Sequence, residues 1–246
     1  YTGGTAINGG TLQVSSDANL GDAAGGLSFN GGTLDVTNAF GTNRAVNLAG
    51  TGTFVTQGTG LNLRGLVSGA GALVKDGNGS LMLAADNSYT GGTTINAGML
   101  MLGEGGTTGS ILGNVVNNGR FAVNRSDTYT LTGTISGSGD VLNTGTGTTI
   151  LTAANSYAGA TQVSTGTLLI NGDQSAATGL TEVRAIATLG GTGVIGGNVD
   201  LNGTLSPGAG GAGTLTINGN LSMGAGARLA YDFGAANAVG SPLNDV

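Results

Sequence analysis

Apolar residues recur along the chain in pairs spaced by two: Leu12/Val14, Leu34/Val36, Val46/Leu48, Leu61/Leu63, Leu81/Leu83, Leu100/Leu102, Leu168/Ile170, Val199/Leu201 and Leu215/Ile217. Polar or small residues separate many of these partners, and Gly or Asn stands at the boundaries. A period of two over a few residues is the signature of a short strand that buries one face. No stretch keeps a 3.6-residue period long enough to predict an amphipathic helix. Thr, used 34 times, suits a half-buried pleated surface, and 52 Gly supply sharp bends between strands. The interruptions at 103–113 and 173–179, rich in Gly, Ser and Thr, are expected to bulge as loops.

The pattern also repeats. Leu63–Tyr89 lies over Leu131–Tyr157 at a constant offset of 68, with 12 of 27 positions identical, among them Gly77/Gly145, Gly79/Gly147 and Asn87-Ser88-Tyr89/Asn155-Ser156-Tyr157. A shorter copy opens the chain: Tyr1–Val14 matches Tyr89–Leu102 at 9 of 14 positions with an offset of 88. The offsets differ by 20, about one coil of a solenoid. Short strands and tight bends alone would also suit an up-and-down barrel or a sandwich. A sandwich normally shows larger aromatic plugs and hairpin turns. Like aliphatic residues at equivalent places instead predict coils stacked about 4.8 Å apart. The expected fold is all-β: a right-handed parallel β-helix (β-solenoid) of about 10 coils, on the order of 50 Å long, with small aliphatic layers inside.

Composition narrows the chemistry. Leu, Ile, Val and Phe make up 57 of 246 residues, enough for a core, while aromatics are only 4%. With 7 Lys+Arg against 13 Asp+Glu and a net charge of -6, no basic stripe exists to neutralise phosphates, so nucleic acid is not an expected partner. There is no Cys and no His, which removes disulfides, thiolate metal sites and the commonest general base. No apolar run reaches the length of a spanning helix. Tyr1 opens inside a repeated motif without a signal segment before it, so the sequence is expected to be a piece of a longer one.

Val74–Leu102 (VKDGNGSLMLAADNSYTGGTTINAGMLML) and Leu142–Ile170 (LNTGTGTTILTAANSYAGATQVSTGTLLI) resemble the passenger-associated transport repeat of bacterial type V autotransporters, which runs K-x-G-x-G-x-L-x-L, then N-x-Y-x-G-x-T, then G-T-L. The second copy departs from it, with Asn143 opposite Lys75 and Ala-Gly-Ala where the first has Thr-Gly-Gly. Thr188–Ala236 is similar to the last passenger coils before the membrane-anchoring barrel. The resemblance implies two regions, 1–187 as passenger coils with transport repeats and 188–246 as C-terminal coils that nucleate folding, ending before the translocator barrel. It also implies export to the cell surface, anchored through that barrel or released. Passengers include adhesins, proteases, esterases and toxins on one scaffold, so the resemblance alone does not name an activity.

Several constellations invite a site. Asp76-Gly77-Asn78-Gly79-Ser80 resembles the opening of a Ca²⁺ loop, but Thr144-Gly145-Thr146-Gly147-Thr148 replaces it in the second copy, and a coil turn is expected. Gly191-Thr192-Gly193-Val194-Ile195-Gly196 spells a dinucleotide fingerprint without a following helix to meet a pyrophosphate. Asp17 with Asp22, and Asp76 with Asp86, are carboxylate pairs that could serve glycan chemistry, yet they read better as scattered solvated acids. Thr-x-Thr runs at Thr51/Thr53, Thr128/Thr130/Thr132/Thr134, Thr144/Thr146/Thr148 and Thr214/Thr216 would align hydroxyls along a strand, as ice-binding solenoids do. Their uneven distribution favours plain β-propensity. The glycosylation acceptors at Asn78, Asn124, Asn202 and Asn220 reflect the abundance of Asn and Thr.

By inventory, no residue is expected to be catalytic and none to bind a metal or organic cofactor. The expected function is a non-enzymatic binding module: an adhesin or a cell-cell or host-interaction factor serving virulence. Its partner would be a host-cell surface protein, matrix, glycan or an identical copy, and contact with the membrane would come only through the barrel. The alternatives are a released ligand for a host-cell receptor and a β-helix enzyme acting on polysaccharide.

Overall fold

The computed structural model describes residues 1–232, which fall into two compact units, Tyr1–Ala122 and the residues from Val123 onward. Each unit is a parallel β-solenoid. Its strands are two to five residues long and pair in parallel with the strand one coil away. The one helical element among the described residues is a 3-10 turn at Asp17–Leu20.

In the first unit the coils supply strands to three rows. One row stacks Thr5–Ile7, Leu27–Phe29, Val46–Leu48 and Val67–Ser68. A second includes Thr11–Val14, Thr33–Val36, Gly52–Thr56, Leu73–Asp76, Thr93–Ile95 and Val115–Asn117. A third includes Phe40–Thr42, Gly60–Leu63, Ser80–Leu83 and Met99–Leu102. Alternate residues point inward and lie directly above one another, so Leu61, Leu81 and Leu100 form one apolar column and Leu63, Leu83 and Leu102 the next. This is the sequence's spacing by two turned into a core. Each leucine covers its counterpart one coil away, and removing its side chain from water is worth about 2 kcal/mol.

In the second unit one row stacks Thr128–Leu131, Thr148–Leu151, Thr167–Ile170, Thr188–Gly191, Thr204–Pro207 and Arg228–Leu229. Another includes Asp140–Asn143, Thr161–Val163, Thr181–Val183, Val199–Leu201 and Leu221–Met223. A short row holds Asp173–Gln174, Val194–Ile195 and Thr216–Ile217.

Three findings differ from the reading of the sequence. The interior is not purely aliphatic: Phe29, Phe54, Phe121, Tyr89 and Tyr157 are fully buried, and the rings of Phe29 and Phe54 stack with centroids 4.9 Å apart. A chain with few aromatics has spent most of them inside, where their area counts most. Asp173–Gln174, expected in a loop, is a strand, and its Gln174 is buried. Coil length also varies with register, from 16 residues between Thr188 and Thr204 to 24 between Thr204 and Arg228, because loops at the corners absorb the difference. Turn glycines serve clearance as well as positive φ: a Cβ on Gly79 would lie 1.9 Å from the Thr59 carbonyl oxygen of the coil beneath.

Candidate functional site

The two long repeats bury Lys75, Asn87, Asn143 and Asn155 in the interior. Lys75 belongs to an inward column of the second row of the first unit, directly between Phe54 and Ile95, and is 0% exposed. Its ammonium Nζ donates to the backbone carbonyls of Asp76 at 2.6 Å, Gly77 at 2.7 Å and Ala97 at 3.2 Å. The first two oxygens belong to its own turn and the third to the next coil, so one cation ties two coils together. Burial pulls the ammonium down from its ordinary 10.5 to about 8, working against the raising effect of the Asp76 charge.

The other half of the motif works through Asn and Tyr. Asn87 Oδ1 accepts from the Val67 N–H at 2.9 Å, and its Nδ2 donates to the carbonyls of Ala85 at 2.7 Å and Ser110 at 2.9 Å. Asn155 repeats the first contact, accepting from the Ile135 N–H at 2.7 Å. Tyr89 and Thr93 hydroxyls meet at 2.7 Å and those of Tyr157 and Thr161 at 2.6 Å; at the start of the chain Tyr1 and Thr5 do the same at 2.8 Å, but exposed. Tyr157 also donates to Gln174 Oε1 at 3.2 Å, and burial pushes its phenol up to about 12 despite the opposing Thr161 bond. The N-x-Y-x-G-x-T spacing is therefore structural: tyrosine and threonine four residues apart reach each other across a coil corner.

The Ca²⁺-like loop is this same turn. The carbonyls of Asp76 and Gly77, oxygens that a cation would seek, already face the Lys75 ammonium, and Asp76 Oδ1 accepts from the Gly77 N–H at 2.7 Å. Asp86 is turned elsewhere, taking the Gly109 N–H at 3.1 Å, and its strand-like bridge to Ser110 closes the 103–113 excursion back onto the coil. Among the described residues no three acidic side chains gather into a metal cluster. The Gly191–Gly196 stretch is a strand end, a turn and the strand Val194–Ile195; a Cβ on Gly193 would lie 2.2 Å from the Gly172 carbonyl oxygen.

Asp17 and Asp22 meet in one place, around an arginine that the sequence did not single out. Arg44, 2% exposed, bonds both Asp17 oxygens, through Nε at 2.8 Å and through Nη2 at 3.2 Å. It also donates to the carbonyls of Gly21 at 2.7 Å, Gly25 at 2.8 Å and Asp22. Partial burial raises the Asp17 carboxyl, but the bonds from Arg44 and Thr42 and the Arg44 charge outweigh it and hold the group below its ordinary 3.8. The Arg44–Asp17 pair fastens the 15–26 excursion, and the Asp22 carboxylate accepts from the Ala24 N–H at 2.9 Å. Nothing in the local sequence marks Arg44, since most of its acceptors are main-chain oxygens.

Thr128 and Thr130 lie on the outward face of the strand Thr128–Leu131. A different ladder appears across coils: Thr128, Thr148, Thr167, Thr188 and Thr204 occupy successive positions of one outward column in the second unit. On the first unit a shallow groove of about 310 Å³ is lined by Phe40, Gly41, Gly60, Asn62, Arg64 and Met82 among others. Glu104, on the 103–113 excursion, reaches Arg64 at 2.9 Å at its margin.

Residues 1–14, 73–102 and 144–170 match the passenger-associated-transport-repeat family. The chain is 45% identical over 140 residues to the adhesin BmaC autotransporter of Brucella suis biovar 1 (strain 1330), covering 56% of this chain and 4% of that protein. It is 30% identical over 220 residues to the uncharacterized lipoprotein YdeK of Escherichia coli (strain K12), covering 86% of this chain and 16% of that protein. The chain thus spans a small part of the length of either relative. No solved structure matches it. Repeats, parallel solenoid and similarity to an autotransporter adhesin together fit an autotransporter passenger.

Proposed function

We propose that the chain is part of a passenger presented at the bacterial surface or released from it, and that it acts as a non-enzymatic adhesive module. The observation that carries this reading is the 45% identity over 140 residues to an autotransporter adhesin. The side-chain chemistry supports it. The buried cations Lys75 and Arg44 are engaged with carbonyls or a carboxylate of the framework, and the outer faces of the strands are threonine-rich with few charges. Such flanks offer an extended polar surface on which a host-cell surface protein, a matrix component, a glycan or an identical copy can be bound at many weak points. Residues 188–246, of which 233–246 lie outside the described residues, serve as the folding-nucleating coils in this proposal.

The test is binding of the purified chain to host cells, extracellular-matrix proteins and glycan panels, with hydrolysis of the same glycans measured in parallel. Saturable binding without turnover is the expected result. Turnover of a polysaccharide that is lost on changing one exposed carboxylate would replace this reading by an enzymatic one.

A further inference from the structure

The two complete repeats satisfy the same three carbonyls with different side chains. In the first copy the oxygens of Asp76, Gly77 and Ala97 all accept from the Lys75 ammonium. Moving 68 residues along, the corresponding oxygens are those of Thr144, Gly145 and Thr165. There Asn143 Nδ2 donates to the Thr165 carbonyl at 2.8 Å, while the Thr165 hydroxyl is 2.9 Å from both the Thr144 and Gly145 carbonyls. Asn143 is too short to reach its own turn, and the hydroxyl of Thr165 covers the two oxygens it cannot.

A third position changes with them. Asn143 Oδ1, an acceptor that lysine does not have, takes the Thr149 hydroxyl at 2.6 Å inside the core. The residue matching Thr149 in the first copy is Leu81, fully buried and apolar, as befits a site beside a lysine stem with nothing to accept. Lys75, Leu81 and Ala97 thus stand against Asn143, Thr149 and Thr165. Either set leaves no carbonyl of the three bare, and each member explains the other two.

We propose that these triplets are interchangeable solutions to one task, closing the repeat's turn onto the next coil, and that of the two only the lysine form makes the stability of the solenoid rise as the medium turns mildly alkaline. The inference is independent of the adhesive reading. Among the ionisable groups around Lys75, Asp76 is the one on its own strand. The strands packed against it, Gly52–Thr56, Thr93–Ile95 and Ser80–Leu83, and the turns at 57–59 and 96–98 contain none.

The direction follows from the amine. Folded, it releases its proton near pH 8, whereas the unfolded chain keeps it until about 10.5. Between those values the unfolded state binds more protons, so stability rises with pH. A neutral amine still has two hydrogens for the two shorter bonds, to Asp76 and Gly77, and gives up the longest, to Ala97.

Urea midpoints of the 246-residue chain at pH 7 and 9.5 test this, with K75N, the triple variant K75N/L81T/A97T and the reverse triple N143K/T149L/T165A. For the unaltered chain the folded-to-unfolded ratio is expected to rise roughly ten- to thirtyfold over that interval. K75N should lose both the rise and a large part of the pH 7 midpoint, since two carbonyls lose the ammonium that ties the turn. The triple variant should regain the midpoint without regaining the rise, and the reverse triple should show a steeper rise than the unaltered chain. A triple variant that melts no higher than K75N, or fails to fold, overturns interchangeability. A rise that persists in K75N or in the triple variant, or a reverse triple with an unchanged slope, overturns the assignment of the pH response to the lysine form.

Discussion

Asn87 in the first unit and Asn155 in the second hold the same residue in the same inward place, yet they are not equally satisfied. Both carbonyls accept a strand N–H from the preceding coil, at 2.9 Å and 2.7 Å. Asn87 Nδ2 also finds two carbonyls, one of them Ser110 on the 103–113 excursion. Asn155 Nδ2 is buried without a hydrogen-bond partner, and the chain that follows its coil forms the strand Asp173–Gln174 rather than an excursion. What reads in sequence as a loop bulging from the coils is what completes the first repeat. For this pair the contact to the coil before is shared by both copies, and the contact to what comes after is made in one only.

The comparison can be broken most sharply at Gly98 and Gly166, which close the two turns with φ of 67° and 60°. A Cβ there would lie 2.2 Å from the Gly79 carbonyl oxygen in the first copy and 2.4 Å from that of Gly147 in the second. Gly98→Ala and Gly166→Ala should each destabilise by about 3 to 4 kcal/mol, read from urea denaturation. Equal losses are expected because this part of the turn is the same in both copies; a mild effect at either position would mean the turns relax independently.

Asn87→Ala and Asn155→Ala come next and should differ. The first leaves the Val67 N–H unpaired and takes the side-chain donor from the Ala85 and Ser110 carbonyls, which each keep a main-chain N–H, for a loss of about 2.5 kcal/mol, and the second leaves one N–H, for about 1.5 kcal/mol. Equal losses would show that the excursion contributes nothing through Ser110.

Smaller again is the tyrosine pair, where Tyr157→Phe and Tyr89→Phe each remove a hydroxyl contact worth about 1 kcal/mol. The folded Tyr157 phenol keeps its proton up to about 12, above its ordinary value of 10, so its contribution is complete below pH 10 and is lost as pH rises through 12. Thermal melts between pH 10 and 12 should fall less steeply in Tyr157→Phe than in the unaltered chain.

The smallest effect lies outside the repeats, at Asp17, whose carboxyl is held below 3.8 in the fold. Its stabilisation is present above that value and lost as pH falls below it, so Asp17→Asn should flatten the acid limb of the melting curve below about pH 4. An unchanged limb would remove the Arg44 pair from the account of that excursion.

Much of this molecule is legible without coordinates. Residues spaced by two, returning after one coil, can be satisfied at once only if like stacks on like, so Leu61, Leu81 and Leu100 announce a column before any strand is placed. The repeat itself was equally visible, and so was the turn at Asp76–Ser80. Its occupant was not. The sequence compared Asp76 and Asn78 with cation ligands, whereas the cation is the neighbouring side chain of Lys75 and the ligands are main-chain carbonyls, which every residue possesses and no letter distinguishes. Arg44 escaped notice for the same reason.

Side-chain periodicity by itself determined the strands, the parallel stacking and the apolar columns, because all of these depend on which residues recur. Tertiary structure alone decided which face of the coil a repeat occupies: within the first unit Thr5–Ile7 lies in one row and its repeat partner Thr93–Ile95 in another. It also decided which backbone oxygens each polar side chain must serve. Coils of unequal length set that register, and hydrogen bonds to the main chain depend on position rather than on residue type.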